Sequence, residues 1–161
     1  MDMRYSVLMS VYNKENPEYF RAALNSIFHQ TVPPTEVVLV CDGPLTAALD
    51  TVILEYEDSC SKDTPRSTRT DMDNRVTPDG KLNMPGTVFR VVRLTENQGL
   101  GKALNEGLRH WTCEWIARMD TDDLAAPNRC ERQLRYLERH PDVDALSGTI
   151  AEFQGDALDV Q

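Results

Sequence analysis

A short apolar segment that ends abruptly in acidic residues is the feature of this sequence that most restricts its fold. Residues 115–119 (Trp-Ile-Ala-Arg-Met) are followed at once by Asp120, Asp122 and Asp123. A brief hydrophobic run of this kind is typical of a strand buried in a parallel sheet. Because open α/β sheets bind ligands outside the carboxyl ends of their strands, the run predicts a strand that carries its acids to a binding crevice.

The three carboxylates are close enough in sequence to act together. Like charges held this close repel one another unless a cation lies among them, and hard carboxylate oxygens suit Mg²⁺ or Mn²⁺. Such a group cannot hold an anionic diphosphate directly, but it can do so through a divalent ion. The alternative is a polar strand-to-helix turn in which an acidic side chain caps the next helix.

Length, charge and hydropathy exclude several classes of protein. A chain of 161 residues is the size of one domain and can bury a core. Its net charge of −9, from 26 acids and 17 bases, disfavours a nucleic-acid backbone as the main partner, because proteins that bind one carry a basic face. The sequence contains no apolar run of about 18 residues, and residues 7–11 are too short a segment for a signal peptide. We therefore expect a cytoplasmic protein, and peripheral association with the inner face of the membrane stays open.

The cysteines and histidines do not form a metal-binding pattern. The four cysteines are widely separated and include no Cys-x-x-Cys pair, so we expect reduced thiols. His29, His110 and His140 each fall near the predicted carboxyl end of a helix, where the helix dipole favours a cation. Helix capping rather than catalysis is therefore expected of them.

Strand-like and helix-like segments alternate along the chain. Strands are predicted at residues 4–12, 36–41, 88–94 and 115–119, and a fifth at 143–148 with a continuation to 153. Helices are predicted at residues 17–28 and 45–56, in a segment ending near His110, and from Pro127 to residue 139. The alternation predicts an α/β fold with a doubly wound, mostly parallel sheet flanked by helices, in a single domain over residues 1–161.

Residues 58–86 differ in character from the segments on either side. They are dominated by Ser, Thr, Asp, Arg, Asn, Lys, Pro and Gly, with only scattered hydrophobic residues. Their number far exceeds the usual connection of about 2–8 residues, so this long polar loop is expected to be either functional or disordered.

A glycine-containing segment with Gly99 and Gly101 precedes the third helix. Glycine permits close approach of the backbone to a ligand, and a helix N-terminus offers unpaired N–H groups to an anion. The phosphate-loop motif nevertheless fails, because Glu96 and Ala103 stand where it needs Gly and then Ser or Thr. The dinucleotide motif fails because Leu104 holds its third glycine position. The glycine pair alone is thus as compatible with a simple helix start as with a ligand site.

Four short motifs occur together in one order along the chain. They are Ser-Val-Tyr-Asn at residues 10–13, Asp-Gly at residues 42–43, an Asn-x-Gly-x-Gly-Lys-Ala-Leu-Asn-x-Gly run at residues 97–107, and Ala-Arg-Met-Asp-Thr-Asp-Asp at residues 117–123 followed by Pro127-x-Arg129. In this order they resemble family 2 glycosyltransferases of the GT-A type, in particular bacterial enzymes of capsule, lipopolysaccharide or exopolysaccharide assembly. The resemblance covers nearly the whole chain except the polar loop at 58–86.

The resemblance implies a Rossmann-like half domain that binds a nucleotide-diphosphate sugar, commonly with uracil as the base. The loop after the first strand would lie against the nucleotide through Ser10, Val11, Tyr12, Asn13 and Glu15. Asp42, after the second strand, would hydrogen-bond the base. Asn97 and Gly101 would border the base and ribose, and Lys102 would contact a phosphate or the base.

The resemblance also implies a divalent metal. Asp120 would reach toward the ribose and the metal, Asp122 would be the direct ligand of Mn²⁺ or Mg²⁺, and Asp123 would support them. A metal that bridges both phosphates would neutralise the charge that builds on the departing nucleotide.

The resemblance does not supply a catalytic base within this sequence. Family members usually carry the base in an acceptor-binding half, so we expect it beyond Gln161 and expect a chain truncated before that half. Glu152, Asp156 and Asp159 lie near the end, but their spacing assigns none of them as the base.

Two functions follow from these observations. The first is a metal-dependent, hexosyltransferase-type enzyme of family 2, inverting by resemblance, that moves a sugar from a UDP-sugar to a glycan or lipid-linked acceptor in cell-surface polysaccharide synthesis. The second is a non-catalytic or truncated nucleotide-sugar-binding module that lacks the base. A nucleotidyltransferase is disfavoured, because residues 13–17 are not the glycine-rich, basic loop that it needs.

Overall fold

Strands and helices alternate along the part of the chain that the computed structural model describes, residues 4–60 and 86–152. The strands are β1 (Tyr5–Val11), β2 (Glu36–Cys41), β3 (Val88–Arg93) and β4 (Trp115–Arg118). The helices are α1 (Pro17–Phe28), α2 (Ala47–Cys60), α3 (Leu100–Gly107) and α4 (Arg129–Arg139). The strands form one parallel sheet in the order β3-β2-β1-β4, which confirms the predicted α/β fold.

The two central strands, β1 and β2, are buried on both faces. Val7 pairs with Val37 on one face and Leu8 pairs with Val38 on the other, in parallel register, and all four residues are buried. A strand buried on both faces reads as a continuous apolar run in the sequence. This is why β1 and β2 were predictable from their residues alone.

Alternate side chains of the central strands belong to two different cores. On one face, Val7 and Met9 pack in a cluster with apolar residues of α1, α2 and α4. On the other face, Leu8 and Val38 pack with Ala103 of α3. Within the described residues, three helices therefore cover one face of the sheet and one helix covers the other.

Helix α1 begins where local groups satisfy its free N–H groups. The Asn16 side chain accepts hydrogen bonds from the backbone N–H of Glu18 at 2.8 Å and of Tyr19 at 3.4 Å. Pro17 occupies the first turn, where its missing N–H is not needed. A side-chain cap of this kind stabilises a helix by about 1 kcal/mol. The buried stripe that follows is Phe20, Ala23, Leu24, Ile27 and Phe28.

Helix α3 approaches the sheet closely through a glycine. A Cβ atom on Gly107 would lie 2.4 Å from Cδ1 of Leu8 and 2.9 Å from Cγ2 of Val40, which are buried side chains of the central strands. Gly101 in the same helix has no atom within 4 Å of such a Cβ. Glycine is therefore required by packing at residue 107 and not at residue 101.

Two expectations differ from the structure. Helix α2 continues to Cys60, so the first residues of the polar loop predicted at 58–86 are helical, and residues 61–85 lie outside the described residues. The fifth strand predicted at 143–153 is wrong over residues 143–152, which form no strand. A strand needs a hydrogen-bonded partner, and β4 pairs with β1 alone among the described residues. Ile150 is 84% exposed, so this apolar segment finds no core in the described part of the chain.

The cysteines and histidines lie as predicted. All four cysteines are free thiols, and burial raises the pKa of the Cys41 thiol to about 11, which keeps it protonated and unreactive near neutral pH. His29 and His140 are the C-cap residues of α1 and α4. His110 lies just beyond α3, with its Nε2 atom 3.4 Å from a carboxylate oxygen of Glu106.

The described helices are short. The longest, α2, has 14 residues, whereas a helix needs about 20 to cross the hydrocarbon core of a bilayer. None of the helices in residues 4–60 and 86–152 is long and apolar enough to span a membrane.

Replacing Gly107 with alanine should destabilise the fold, because the added methyl group overlaps Leu8 and Val40 in a packed core. Overpacking of this kind costs about 1–3 kcal/mol in the free energy of unfolding. Gly101→Ala is the matched control in the same helix and should not lower that free energy, because a Cβ atom there has no atom within 4 Å. Urea denaturation followed by circular dichroism measures both variants. Equal effects of the two substitutions would contradict the close approach of α3 to the sheet.

Candidate functional site

A cleft of about 400 Å³ opens at the edge of the sheet where the parallel strands end. The segments that follow β1, β2 and β4 contribute to it, and so does the segment between β3 and α3. Its lining residues are Ser10, Tyr12, Glu15, Asp42, Asn97, Gly99, Leu100, Asp120, Thr121 and Asp122. Open α/β sheets hold ligands at this edge, so the cleft is the candidate functional site.

Asp42, directly after β2, holds one wall of the cleft in place. Its side chain is only 4% exposed, and its two oxygens accept hydrogen bonds from the backbone N–H of Gln98 at 2.7 Å and of Gly99 at 2.9 Å. Its main-chain oxygen accepts a further hydrogen bond from the Asn97 amide at 3.3 Å. A buried carboxylate is stable when donors surround it in this way. Asp42 therefore clamps the segment before α3 onto the end of β2.

Gly43 allows this clamp to close. Its backbone has φ +87°, and a Cβ atom there would lie 2.6 Å from the backbone nitrogen of Asn97 and 2.9 Å from the carbonyl carbon of Glu96. A side chain is excluded both by the left-handed backbone and by the backbone of the neighbouring segment. Both residues of the Asp-Gly pair after β2 are thus needed for the structure of this wall of the cleft.

Asp120 and Asp122 reach the cleft from the turn that follows β4. The Arg118 guanidinium donates a hydrogen bond to one oxygen of Asp120 at 2.6 Å, whereas Asp122 is exposed. Arg129 holds the backbone of the same turn, because its guanidinium donates to the main-chain oxygen of Arg118 at 3.1 Å and to Sδ of Met119 at 3.1 Å. One arginine thus balances the charge of Asp120, and a second fixes the strand end that carries it.

Glu15 and Thr121 connect two sides of the cleft. The Thr121 hydroxyl lies 2.8 Å from one carboxylate oxygen of Glu15, and the other oxygen of Glu15 accepts a hydrogen bond from the backbone N–H of Asn16 at 2.9 Å. The loop after β1 is therefore joined to the acidic turn after β4.

The carboxylate oxygens at the cleft are suitable ligands for a divalent cation that is shared with a bound molecule. Among residues 4–60 and 86–152, no group of three or more His, Cys, Asp or Glu side chains is placed to hold a metal by itself. Mg²⁺ usually takes one or two carboxylates, and water and substrate phosphates complete its coordination. Asp120 and Asp122 offer two carboxylates at one cleft. Their assignment to a metal stays a prediction.

Most of the residues singled out from the sequence meet at this cleft. Those that line it are Ser10, Tyr12, Glu15, Asp42, Asn97, Asp120 and Asp122. Val11 is fully buried in the core, and Asn13 is exposed in the turn after β1. Gly101 and Lys102 lie in the first turn of α3, beside the lining residue Leu100. Asp123 is exposed next to the acidic pair.

Sequence reasoning did not assign four residues that the structure brings to the site. Gly99, Leu100 and Thr121 line the cleft, and Arg118 pairs with Asp120. Thr121 stands between two predicted acids, and Gly99 stands two residues before Gly101. Their position next to predicted site residues was therefore the one indication in the sequence that they belong to the site. The pairing of Arg118 depends on the turn after β4, which the sequence does not specify.

Known proteins similar to this chain are glycosyltransferases. The profile of glycosyl transferase family 2 matches residues 6–77 and 81–161. An uncharacterized glycosyltransferase of Haemophilus influenzae is 39% identical over 158 residues, which cover 98% of this chain and 49% of the relative. The amylovoran biosynthesis glycosyltransferase AmsE of Erwinia amylovora is 38% identical over 149 residues, which cover 92% of this chain and 46% of the relative. The chain thus spans about half the length of these curated relatives.

Solved structures share the fold. The crystal structure of S. aureus TarS 1–349 in complex with UDP matches with a TM-score of 0.61 and 25% identity, and the match covers 86% of this chain and 33% of that chain. The same protein in complex with UDP-GlcNAc matches with a TM-score of 0.58 and 25% identity, covering 86% and 32% of the two chains. The parallel sheet flanked by helices is of the GT-A type. From its match to the family profile over nearly its whole length, and from the site at the carboxyl edge of that sheet, this chain belongs to glycosyltransferase family 2.

Proposed function

We propose that this chain binds a UDP-sugar together with a divalent cation, and that its enzyme transfers the sugar in the synthesis of a cell-surface polysaccharide. One observation carries the proposal. The segment that Asp42 clamps and the carboxylates of Asp120 and Asp122 lie at the same cleft. The similarity to TarS, which was crystallised with UDP and with UDP-GlcNAc, supports the proposal, and so does the similarity to the amylovoran biosynthesis glycosyltransferase AmsE.

We assign the nucleoside to the part of the cleft between β1 and the segment clamped by Asp42. Each Asp42 oxygen already accepts one backbone N–H, but a carboxylate oxygen has a second lone pair. The N3–H group of uracil is a donor that can use it. Tyr12 lines the same cleft and is 42% exposed, so its ring is available to stack on the base.

We assign the diphosphate to the acidic turn. Asp120 and Asp122 would hold Mn²⁺ or Mg²⁺, and when bound this cation supplies Lewis-acid stabilisation of the negative charge on the departing diphosphate. Asp120 can exchange Arg118 for the cation at small cost, because the two side chains are 53% and 39% exposed and exposed ion pairs contribute only about 0–1 kcal/mol. Lys102, exposed in the first turn of α3, is a further positive charge for a phosphate.

Transfer itself needs a group that we do not assign to this chain. We propose direct displacement at the anomeric carbon with inversion, in which a general base removes the proton from an acceptor hydroxyl. We propose that the base belongs to the part of the enzyme that binds the glycan or lipid-linked acceptor. A cytoplasmic location, with access to the inner face of the membrane, belongs to the same proposal.

The alternative is a nucleotide-sugar-binding module without catalysis. It is favoured by one observation, that the chain spans about half the length of the relatives it matches. Release of UDP from a UDP-sugar in the presence of acceptor separates the two functions. An enzyme releases UDP over many turnovers, whereas a binding module retains the intact donor.

Binding of UDP should require a divalent cation, because without one the carboxylates repel an anionic diphosphate. Asp122→Ala should abolish binding, because it removes a proposed ligand of that cation. Isothermal titration calorimetry with UDP, in Mn²⁺ and in EDTA, measures this dependence. Uridine, which has no phosphate, should bind equally in both. Asp144→Ala, which removes an exposed carboxylate beyond α4, is the matched control and should leave UDP affinity unchanged. Equal UDP affinity in Mn²⁺ and EDTA would refute the metal role.

Asp42→Asn should weaken UDP binding at least tenfold. The asparagine amide keeps one acceptor oxygen, so either Gln98 or Gly99 loses the acceptor of its N–H group, and the cleft wall loosens. We expect the free energy of unfolding to fall by about 1–3 kcal/mol, the usual cost of an unsatisfied donor. Calorimetry with UDP and urea denaturation measure the two effects, and Asp144→Asn is the control for loss of a charge. Reduced stability with unchanged UDP affinity would show that Asp42 acts on the fold alone.

Uridine nucleotides should stabilise the chain more than other nucleotides, because we propose that an Asp42 oxygen accepts the N3–H group of uracil. A ligand present at a hundredfold excess over its Kd stabilises the folded state by about 2.7 kcal/mol. Thermal unfolding in Mn²⁺ with UDP-, GDP- and ADP-sugars at equal concentration measures the preference. The largest increase in Tm with a GDP- or ADP-sugar would reject uracil as the base.

A further inference from the structure

We propose that Glu15 and Thr121 are positioning residues, and that the hydrogen bond between them orients the carboxylates of Asp120 and Asp122 toward a cation shared with a nucleotide diphosphate. The inference rests on the proposed function and deepens it, because it says which residues prepare the acidic turn for the metal. It also assigns to Glu15 a role within the protein rather than on the nucleotide.

The burial of Thr121 is the first observation. Thr121 is only 4% exposed, although it lies between two acids that line the cleft. Its hydroxyl is 2.8 Å from a carboxylate oxygen of Glu15 and 3.4 Å from the main-chain oxygen of Ser10. A hydroxyl has one hydrogen to donate, and the nearer, charged acceptor forms the stronger bond. Thr121 therefore donates to Glu15 and is fastened to the other side of the cleft.

Glu15 is itself held in place, which makes it a suitable anchor. Its second carboxylate oxygen accepts the backbone N–H of Asn16 at 2.9 Å, and its own N–H donates to the main-chain oxygen of Tyr12 at 3.1 Å. Asn16 in turn caps α1. The two oxygens of Glu15 are thus both engaged by the protein, and the start of α1 fixes where Thr121 can lie.

The far end of α1 is fastened to the same segment at a second place. The fully buried amide of Gln30 donates to the main-chain oxygen of Ala126 at 2.8 Å and accepts the N–H of Cys130 at 3.0 Å. Thr31 donates its N–H to the main-chain oxygen of Pro127 at 2.8 Å. Residues on either side of α1 therefore hold residues 121–130, Glu15 before the helix and Gln30 and Thr31 after it. The Glu15–Thr121 bond is the one of these fastenings that lies at the cleft.

Anchoring Thr121 affects both acids because they are its chain neighbours. A shift of the Thr121 backbone moves the carboxylates of Asp120 and Asp122 together. Mg²⁺ requires near-octahedral geometry with oxygen distances of about 2.0–2.1 Å, so a small displacement of the turn weakens its coordination. The nucleoside end of the cleft, which Asp42 holds independently, should not respond to this shift.

The test compares UDP in Mn²⁺ with uridine, using calorimetry on the whole chain. Thr121→Val keeps the shape of the side chain and removes the hydroxyl, and we expect it to lower UDP affinity at least tenfold without changing uridine affinity. Thr121→Ser restores the hydroxyl and should restore the affinity. Glu15→Ala should cause a similar loss, and the double variant Glu15→Ala/Thr121→Val should lose no more than either single variant, because the two residues act through one bond.

Thr31→Val is the matched control at the other end of α1. The Thr31 hydroxyl donates to a carboxylate oxygen of Glu131 at 2.7 Å, so the substitution removes the same kind of hydrogen bond, between a threonine and a glutamate, away from the residues that line the cleft. Its UDP affinity in Mn²⁺ should equal that of the wild-type chain. A loss as large as that of Thr121→Val would show that any weakened attachment of α1 impairs binding, and it would overturn the proposal.

Other results would also overturn it. Unchanged UDP affinity in Thr121→Val would show that the bond does not position the acids, and equal losses for UDP and uridine would show a general structural effect. Since Glu15 is only partly buried, Glu15→Ala tests the same bond should Thr121→Val fail to fold. Wild-type affinity for UDP that is equal in Mn²⁺ and EDTA would reject the metal role in the proposed function, and the positioning role with it. Metal-dependent wild-type binding with no effect of either substitution would reject the positioning role alone.

Discussion

Parallel pairing of β1 with β2 on one side and with β4 on the other is the constraint on which the site depends. In the pairing with β2, Val11 lies opposite Cys41, so both strands end at the same level and Asp42 follows at once. In the pairing with β4, Leu8 lies opposite Arg118, so β4 ends earlier and the acidic turn runs beside the last residues of β1. This difference in register brings Thr121 next to Ser10 and gives the cleft two walls instead of one.

Carboxylates fix the loops at both ends of β2. At the amino end, Glu36 is 2% exposed and accepts hydrogen bonds from the hydroxyl groups of Ser6 at 2.6 Å and Thr112 at 3.0 Å. At the carboxyl end, Asp42 accepts two backbone N–H groups from the segment before α3. A buried charge is costly unless donors surround it, and in both cases the donors come from segments distant along the chain. Part of the acidic composition therefore stabilises the fold and is not merely solvated surface.

The acids at the cleft are of two kinds. Asp42 and Glu15 have both carboxylate oxygens engaged by the protein. Asp122 is exposed, and Asp120 has an exposed arginine partner that it can exchange. A site that must take up and release a charged ligand needs both kinds, because fixed groups give the cleft its shape and exchangeable groups change partners without disturbing the fold. In the proposed function, the exchangeable carboxylates would take up a metal that arrives together with the nucleotide.

Local patterns in the sequence were sufficient for the alternation of strands and helices, for the start of α1 at Pro17, and for the acids that follow β2 and β4. The other predicted residues that line the cleft, Ser10, Tyr12, Glu15 and Asn97, came from the resemblance to family 2 glycosyltransferases. Buried runs, caps and strand-end acids depend on neighbours within a few positions, which a sequence displays directly. The same reasoning failed for the strand expected at 143–148, because an apolar run becomes a strand only when a partner is present to pair with it.

Which carboxylates are fixed and which are exchangeable emerged only from the folded chain. Thr121 meets Glu15 across 106 positions, and Gln98 meets Asp42 across 56. Those contacts follow from the register of the parallel strands and the docking of α1, and no local pattern encodes either. Composition and motifs therefore indicated that acids gather at one edge of a sheet. Only tertiary packing determined which of them are held by the protein and which are exposed to a ligand.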